Sequence, residues 1–121
     1  MNKEQALHYF WSQFDVPAYD QSTVPEDAAY PRITYECATD NIGAQLILTG
    51  SLWDRSTSWK SVTELQHTIE ATLGLGGQTI GYDNGLLWVK RGEPFAQRMN
   101  DTDDSIRRIV LNIEVEYLSE V

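Results

Sequence analysis

Leu86-Leu87-Trp88-Val89-Lys90-Arg91, then a polar stretch over residues 92–104, then Ile109-Val110-Leu111-Asn112-Ile113-Glu114-Val115-Glu116-Tyr117 together decide how this chain folds. In the last run Ile109, Leu111, Ile113, Val115 and Tyr117 alternate with Asn112, Glu114 and Glu116. Alternation sustained at period two places one face of a strand in a core and the other in water. The first run reads as extended too. The stretch between them is too long for a tight hairpin and is expected to be a projecting polar loop. Loops of that length usually carry function or move. A sheet with a polar arm and no reactive centre fits assembly or binding better than catalysis.

Toward the N-terminus, Asn84-Gly85 is a strong hairpin signal because both residues tolerate positive φ; it joins a short strand over 78–82 to the run that starts at Leu86. Before it, Trp59, Val62, Leu65, Ile69 and Leu73 recur at helical spacing. Ser56 or Ser58 is expected to cap this helix and Gly74 to stop it, with Gly76 and Gly77 freeing the chain to turn. Residues 32–38 and 44–54 read as two strands, most simply a hairpin joined through Asp40-Asn41-Ile42-Gly43. Residues 15–30, holding Pro17, Pro25, Glu26 and Asp27, read as irregular surface chain closed by Pro31. Leu7, Phe10, Trp11 and Phe14 make one apolar stripe, so residues 3–14 predict a docked helix ended by Pro17. The whole predicts a single α+β domain over residues 1–121 in two layers. Its sheet is mostly antiparallel or mixed, of about four to five strands, with two helices packed on one face.

At 121 residues the length fits one domain, and a chain of this size buries roughly 65% of its unfolded surface. There is one cysteine, Cys37, which excludes an intrachain disulfide and any multi-cysteine metal site. Its place in an apolar-rich strand predicts a buried, inert thiol, and an unstapled chain fits a reducing compartment. No uncharged apolar run approaches the ~20 residues of a membrane span. Met1-Asn2-Lys3-Glu4-Gln5 lacks the basic start and apolar block of a signal peptide, so a soluble intracellular protein without a membrane partner is expected. The net charge is −9, from 18 acidic and 9 basic residues. No Lys/Arg cluster is large enough to grip a phosphate backbone. An acidic surface does the opposite and keeps passing nucleic acid from sticking.

The search for reactive chemistry returns little. His8 and His67 flank the apolar stripes of their helices and are expected at the surface, and no Cys or His has metal-ligand spacing. Asp101-Thr102-Asp103-Asp104 lacks the glycine and the distal glutamate of a calcium loop, and reads as a solvated tip or as partners for Arg107 and Arg108. Gly74-Leu75-Gly76-Gly77 follows a helix, the wrong polarity for a phosphate cradle. Ser51, Ser56, Ser58 and Ser61 have no glycine-flanked elbow around them. No catalytic residue, cofactor or metal site is predicted. Arg107 and Arg108 start the last strand and point to opposite faces, and the one on the core side is expected to need an acidic partner. Trp53, Trp59, Trp88, Arg91 and Arg98 remain, residue types favoured at interface hot spots. Together with the tip of the polar stretch they nominate Trp53, Arg91, Arg98, Asn100, Asp101 and Asp103 as interface candidates.

Pro31-Arg-Ile-Thr-Tyr-Glu36, Ser51-Leu-Trp-Asp-Arg-Ser-Thr-Ser-Trp59, Trp88-Val-Lys-Arg-Gly-Glu-Pro-Phe-Ala-Gln-Arg98 and Ile106-Arg-Arg-Ile-Val-Leu-Asn-Ile-Glu-Val-Glu-Tyr117 resemble small tail proteins of siphophages and Gram-positive prophages. More narrowly, from about Tyr30 onward the chain resembles the tail-terminator family, also called tail completion or head-tail joining proteins. The resemblance implies a small sheet flanked by helices, closed into a ring, commonly a hexamer, on the end of the tail tube. Such a ring stops tube polymerisation and presents a surface to a head connector or stopper protein. DNA would pass through its channel without specific binding. It implies a non-enzymatic homo-oligomer located in the virion tail after assembly in the host cytoplasm. On that reading, the 92–104 stretch and one sheet edge make subunit contacts, and the acidic excess lines the lumen. The alternatives are another neck protein such as a head-tail adaptor or stopper, a prophage-encoded binding module, and a small carboxylate enzyme.

Overall fold

The computed structural model describes residues 1–39 and 45–119. Helix α1 (Lys3–Ser12) starts where the Asn2 side chain accepts the Gln5 backbone N–H and the Gln5 side chain accepts the Asn2 N–H. This reciprocal capping box satisfies two donors that a helix start otherwise leaves open. One stripe of the helix, Ala6, Leu7, Phe10 and Trp11, is buried, and Phe14 joins it just past the helix end. Among the described residues six strands follow the order β1-β2-β3-β6-β5-β4 in one sheet. They are β1 (Ala18–Asp20), β2 (Arg32–Tyr35), β3 (Gln45–Arg55), β4 (Gln78–Tyr82), β5 (Gly85–Met99) and β6 (Ile106–Ser119). β1 pairs with β2 in parallel and every other pairing is antiparallel. The sheet is thus the mixed α+β layer that the sequence predicts, with one strand more than expected. The extra strand is β1, formed inside the segment read as irregular, where Pro17 O takes the Ile33 N–H.

Helix α2 (Lys60–Leu73) leaves β3, crosses the sheet over β6 and β5, and delivers the chain to the far edge. Its N-cap is Trp59, which makes no side-chain cap bond. The two serines expected as caps act earlier: Ser56 Oγ accepts the Ser58 N–H and Ser58 Oγ accepts the Lys60 N–H. The helix ends as expected at Gly74, which takes φ 56°, a region that costs glycine little. α1 touches both β1 and β4, strands at opposite edges of the sheet. The sheet must therefore curl around that helix.

Both helices cover the same face. Leu48, Gly50 and Leu52 of β3 lie opposite Ile113, Leu111 and Ile109 of β6, and all are buried there with Val115 and Tyr117. The Trp11 ring packs against this face at Gly50. A Cβ on Gly50 would come within 2.3 Å of it, so the close approach of ring and strand requires glycine. The hairpin signal also holds, with Asn84 at φ 63° joining β4 to β5.

Two expectations fail. The 92–104 stretch is mostly strand: β5 continues to Met99, with a bulge in which residues 92–95 face Asn112 of β6 alone. Asn112 Nδ2 donates to Pro94 O at 2.7 Å and pins the bulge. The projecting loop shrinks to a short connection over residues 100–105. The second failure is Cys37, which is exposed. β2 stops at Tyr35: the Glu36 N–H still donates to Thr49 O, but the Glu36 carboxylate, in place of its carbonyl, takes the Thr49 N–H and hydroxyl, both at 2.7 Å. The turn expected over residues 40–43, and Ala44 at the start of the next strand, lie outside the described residues.

Candidate functional site

The uncovered face of the sheet is the part of the molecule with unassigned chemistry, and cross-strand register divides it into rows. At one end, Arg32 of β2, Trp53 of β3, Arg108 of β6 and Met99 of β5 stand side by side. The Arg108 guanidinium lies 4.6 Å from the Trp53 ring centre and donates through Nε and Nη2 to Ser51 Oγ. Arg32 lies over Tyr30 at 4.2 Å and donates to Ala28 O and to the Tyr30 hydroxyl. The Arg55 guanidinium lies over the same ring, 4.9 Å from the Tyr30 ring centre. Trp53 Nε1 donates to Thr34 Oγ1, which fixes the indole. Arginines packed on ring faces in this way are held at about 0.5–1 kcal/mol each when exposed, more when desolvated.

Uncharged residues fill the middle rows: Thr34, Ser51, Val110 and Gln97, then Thr49 and Asn112. The far end turns acidic and apolar. Ile47, Glu114 and Lys90 form one row, Gln45, Glu116 and Trp88 the next, and Leu118 faces Leu86 beyond them. Ile47 is 65% exposed and Leu86 and Leu118 are also exposed. Lys90 lies over Trp88 and reaches Glu116 at 3.8 Å.

The residues nominated from sequence are divided between the two faces. Trp53 sits in the cation–aromatic row. Arg91 lies on the helix side opposite Ile113, held by Glu70 of α2 at 3.2 Å. Arg98, also on the helix side, covers the Trp59 ring at 4.6 Å. Asn100, Asp101 and Asp103 fall in the short β5–β6 connection. There Asp101 accepts the Asp103 N–H, and Asp103 accepts both the Ser105 hydroxyl and its N–H. Those bonds hold the Asp103 carboxyl below its ordinary range. Its cationic neighbour is Arg55 at 3.9 Å, in place of Arg107 or Arg108. Arg107, on the core side, donates through Nη1 and Nη2 to the carbonyls of Thr57, Asp104 and Ile106 and lies 5.4 Å from the Trp59 ring centre in place of an acid, while its buried Nε has no hydrogen-bond partner. Tyr30, Arg32, Arg55 and Arg108 were missed as a cluster, although Trp53 falling out of phase with Leu48 and Leu52 marks an aromatic on a wet face.

Among the described residues no three His, Cys, Asp or Glu side chains gather closely enough to hold a metal ion. An open groove of about 610 Å³ beside the bulge is lined by Lys90, Arg91, Glu93 and Glu114, charges of both signs. The Cys37 thiol is held above its ordinary pKa by desolvation first and then by Asp20 and Glu4, so its thiolate is disfavoured. His8 and His67 are at the surface as expected, with His8 Nδ1 2.9 Å from the Tyr35 hydroxyl. No described helix is long and apolar enough to cross a membrane.

No protein-family model matches the sequence, and neither does any curated protein. Among solved structures the fold is similar to a chain in the structure described as the virion of native gene transfer agent (GTA) particle. The likeness has a TM-score of 0.53 at 17% identity and covers 95% of this chain and 86% of that one.

Proposed function

We propose that this chain is a non-enzymatic structural component of a phage-like virion. More narrowly, we propose a tail terminator that closes the tail tube as a homo-oligomeric ring and joins it to the head. The observation that carries the reading is the fold likeness along nearly the whole chain to a component of a virion particle. The sequence resemblance to tail-terminator proteins supplies the narrower role. An open sheet face carrying unneutralised cations at one end and carboxylates at the other supports it, because a cyclic assembly needs two different, complementary patches on each subunit. Partners on this reading are further copies of the chain, the tail tube protein and a head connector or stopper, with DNA passing through.

Negative-stain microscopy of particles assembled without this protein tests the role. Overlong tails or tails detached from heads are the expected result, and normal virions would sink it. Purified protein separates the neighbouring assignment of an adaptor or stopper: a terminator binds tube ends, whereas an adaptor binds the portal complex.

A further inference from the structure

Five of the six arginines (Arg32, Arg55, Arg98, Arg107 and Arg108) gather at one end of the strands in a chain whose net charge is −9. Four of them have no carboxylate within ion-pairing distance among the described residues, and the exception, Arg55, has Asp103 only at 3.9 Å. Asp54, opposite Arg107, and Asp101, Asp103 and Asp104 of the β5–β6 connection lie at the same end, so the separation of charge concerns the open face, where Arg32 and Arg108 stand at one end and Glu114 and Glu116 at the other. At the other end of the open face Glu114 has no ion pair among the described residues, and Glu116 has only a long one to Lys90. Arg108 and Glu114 sit on the same strand and face, six residues apart, which is ~20 Å at the usual rise of a strand. Carboxylate and guanidinium are therefore too far apart to neutralise one another within a single chain. They are well placed to do so between chains.

We propose that this face is a two-ended docking surface for a second copy of the chain. The cation–aromatic row (Arg32, Trp53, Arg108) of one copy receives the carboxylate row (Glu114, Glu116) of the next. The contact is head-to-tail, so each copy keeps one free row and can continue or close an assembly. The guanidiniums are already held on their rings by hydrogen bonds to Ser51, Ala28 and Tyr30, which lowers the ordering cost of the contact. Exposed Ile47 beside Glu114 supplies apolar area next to the charges. This deepens the ring reading above by naming its surfaces, and rests on it for the geometry of closure.

Sedimentation of the full chain over a range of concentrations, in about 50 mM and about 1 M salt, tests the proposal. Association is expected at low salt and its dissociation constant should rise at least ~10-fold at high salt. Arg108→Glu and Glu114→Arg should each weaken association ~10-fold or more, and mixing the two variants should restore it. Circular dichroism checks that each variant folds, and Glu114→Arg alone still decides the matter if Arg108→Glu does not. A chain that stays monomeric at every concentration, associates regardless of salt, or associates equally well as Glu114→Arg overturns the proposal. So does tight binding of a generic DNA duplex that is lost in Arg108→Glu, which would assign the cationic row to nucleic acid. Mass spectrometry of purified particles separates the two readings. Presence in virions without salt-sensitive association sinks the docking rows alone, whereas association through these rows by a chain absent from virions sinks the virion role.

Discussion

The two faces of the β3–β6 pair use the same backbone and the same register, yet they obey different rules. On the helix-covered face Leu48, Leu52, Ile109, Leu111 and Ile113 are buried against α1 and α2. Each such side chain contributes about 1.5–3 kcal/mol by leaving water. On the open face the neighbours along the same strands are Ile47, Ser51, Trp53, Arg108, Asn112 and Glu114. There the residues are sorted by charge along the strand, and burial does not account for the sorting. A face that stability alone had shaped would scatter its charges for solubility. The difference separates what folds the chain from what the folded chain presents to others.

The largest effect should come from the covered face. Leu111→Ala removes a fully buried side chain and should cost about 2–5 kcal/mol in denaturant unfolding. A cost below 1 kcal/mol would mean that the core does not sit where the burial pattern places it. Next comes Gly50→Ala, whose new Cβ would meet the Trp11 ring at 2.3 Å. The ring is buried among α1 side chains and cannot swing away, so overpacking should cost about 1–3 kcal/mol.

A smaller effect should appear in alkali. Burial, then the charges of Asp20 and Cys37, push the Tyr35 hydroxyl up to about 12. Below the unfolded-state value of 10 both states keep the proton and the stabilisation is complete. Between that value and about 12 the unfolded chain ionises first, so stability falls as pH rises. Tyr35→Phe should make this alkaline limb shallower in a pH series of unfolding curves, the buried Tyr117 hydroxyl, also raised, keeping the rest; an unchanged slope would refute the assignment. Smallest of all, Ile47→Ser on the open face should leave stability within about 0.5 kcal/mol. A larger loss in the monomer would show that the open face folds the chain as well.

Much of the covered face was legible in the sequence because burial leaves a periodic trace. Leu7, Phe10, Trp11 and Phe14 announced α1, the alternation from Ile109 to Tyr117 announced β6, and Asn84-Gly85 announced the β4–β5 turn. The stretch after Arg91 misled for an equally physical reason. Its Gly92, Glu93 and Pro94 carry loop chemistry, and they do occupy a bulge, but pairing with β6 resumes at Ala96 and carries the strand to Met99. A four-residue excursion inside a strand has no periodicity to betray it. β1 was missed because three residues are too few to show a pattern, and its partner is supplied only when β2 comes alongside. Cys37 was misplaced because the residue that ends β2, Glu36, does so through a bond to Thr49 on another strand.

Local sequence by itself determined the two helices and the longer periodic strands, and which stripe or face of each is apolar, since side-chain direction repeats every two residues in a strand and every 3.6 in a helix. It also determined the net charge and the absence of any cysteine pair. Strand order and register were left to the tertiary structure. Only they set Arg32 from β2, Trp53 from β3 and Arg108 from β6 in one row, and held Glu114 six residues away at the other end of the same face. Residues distant in the chain become neighbours through pairing across strands, and no single segment of sequence encodes that partnership.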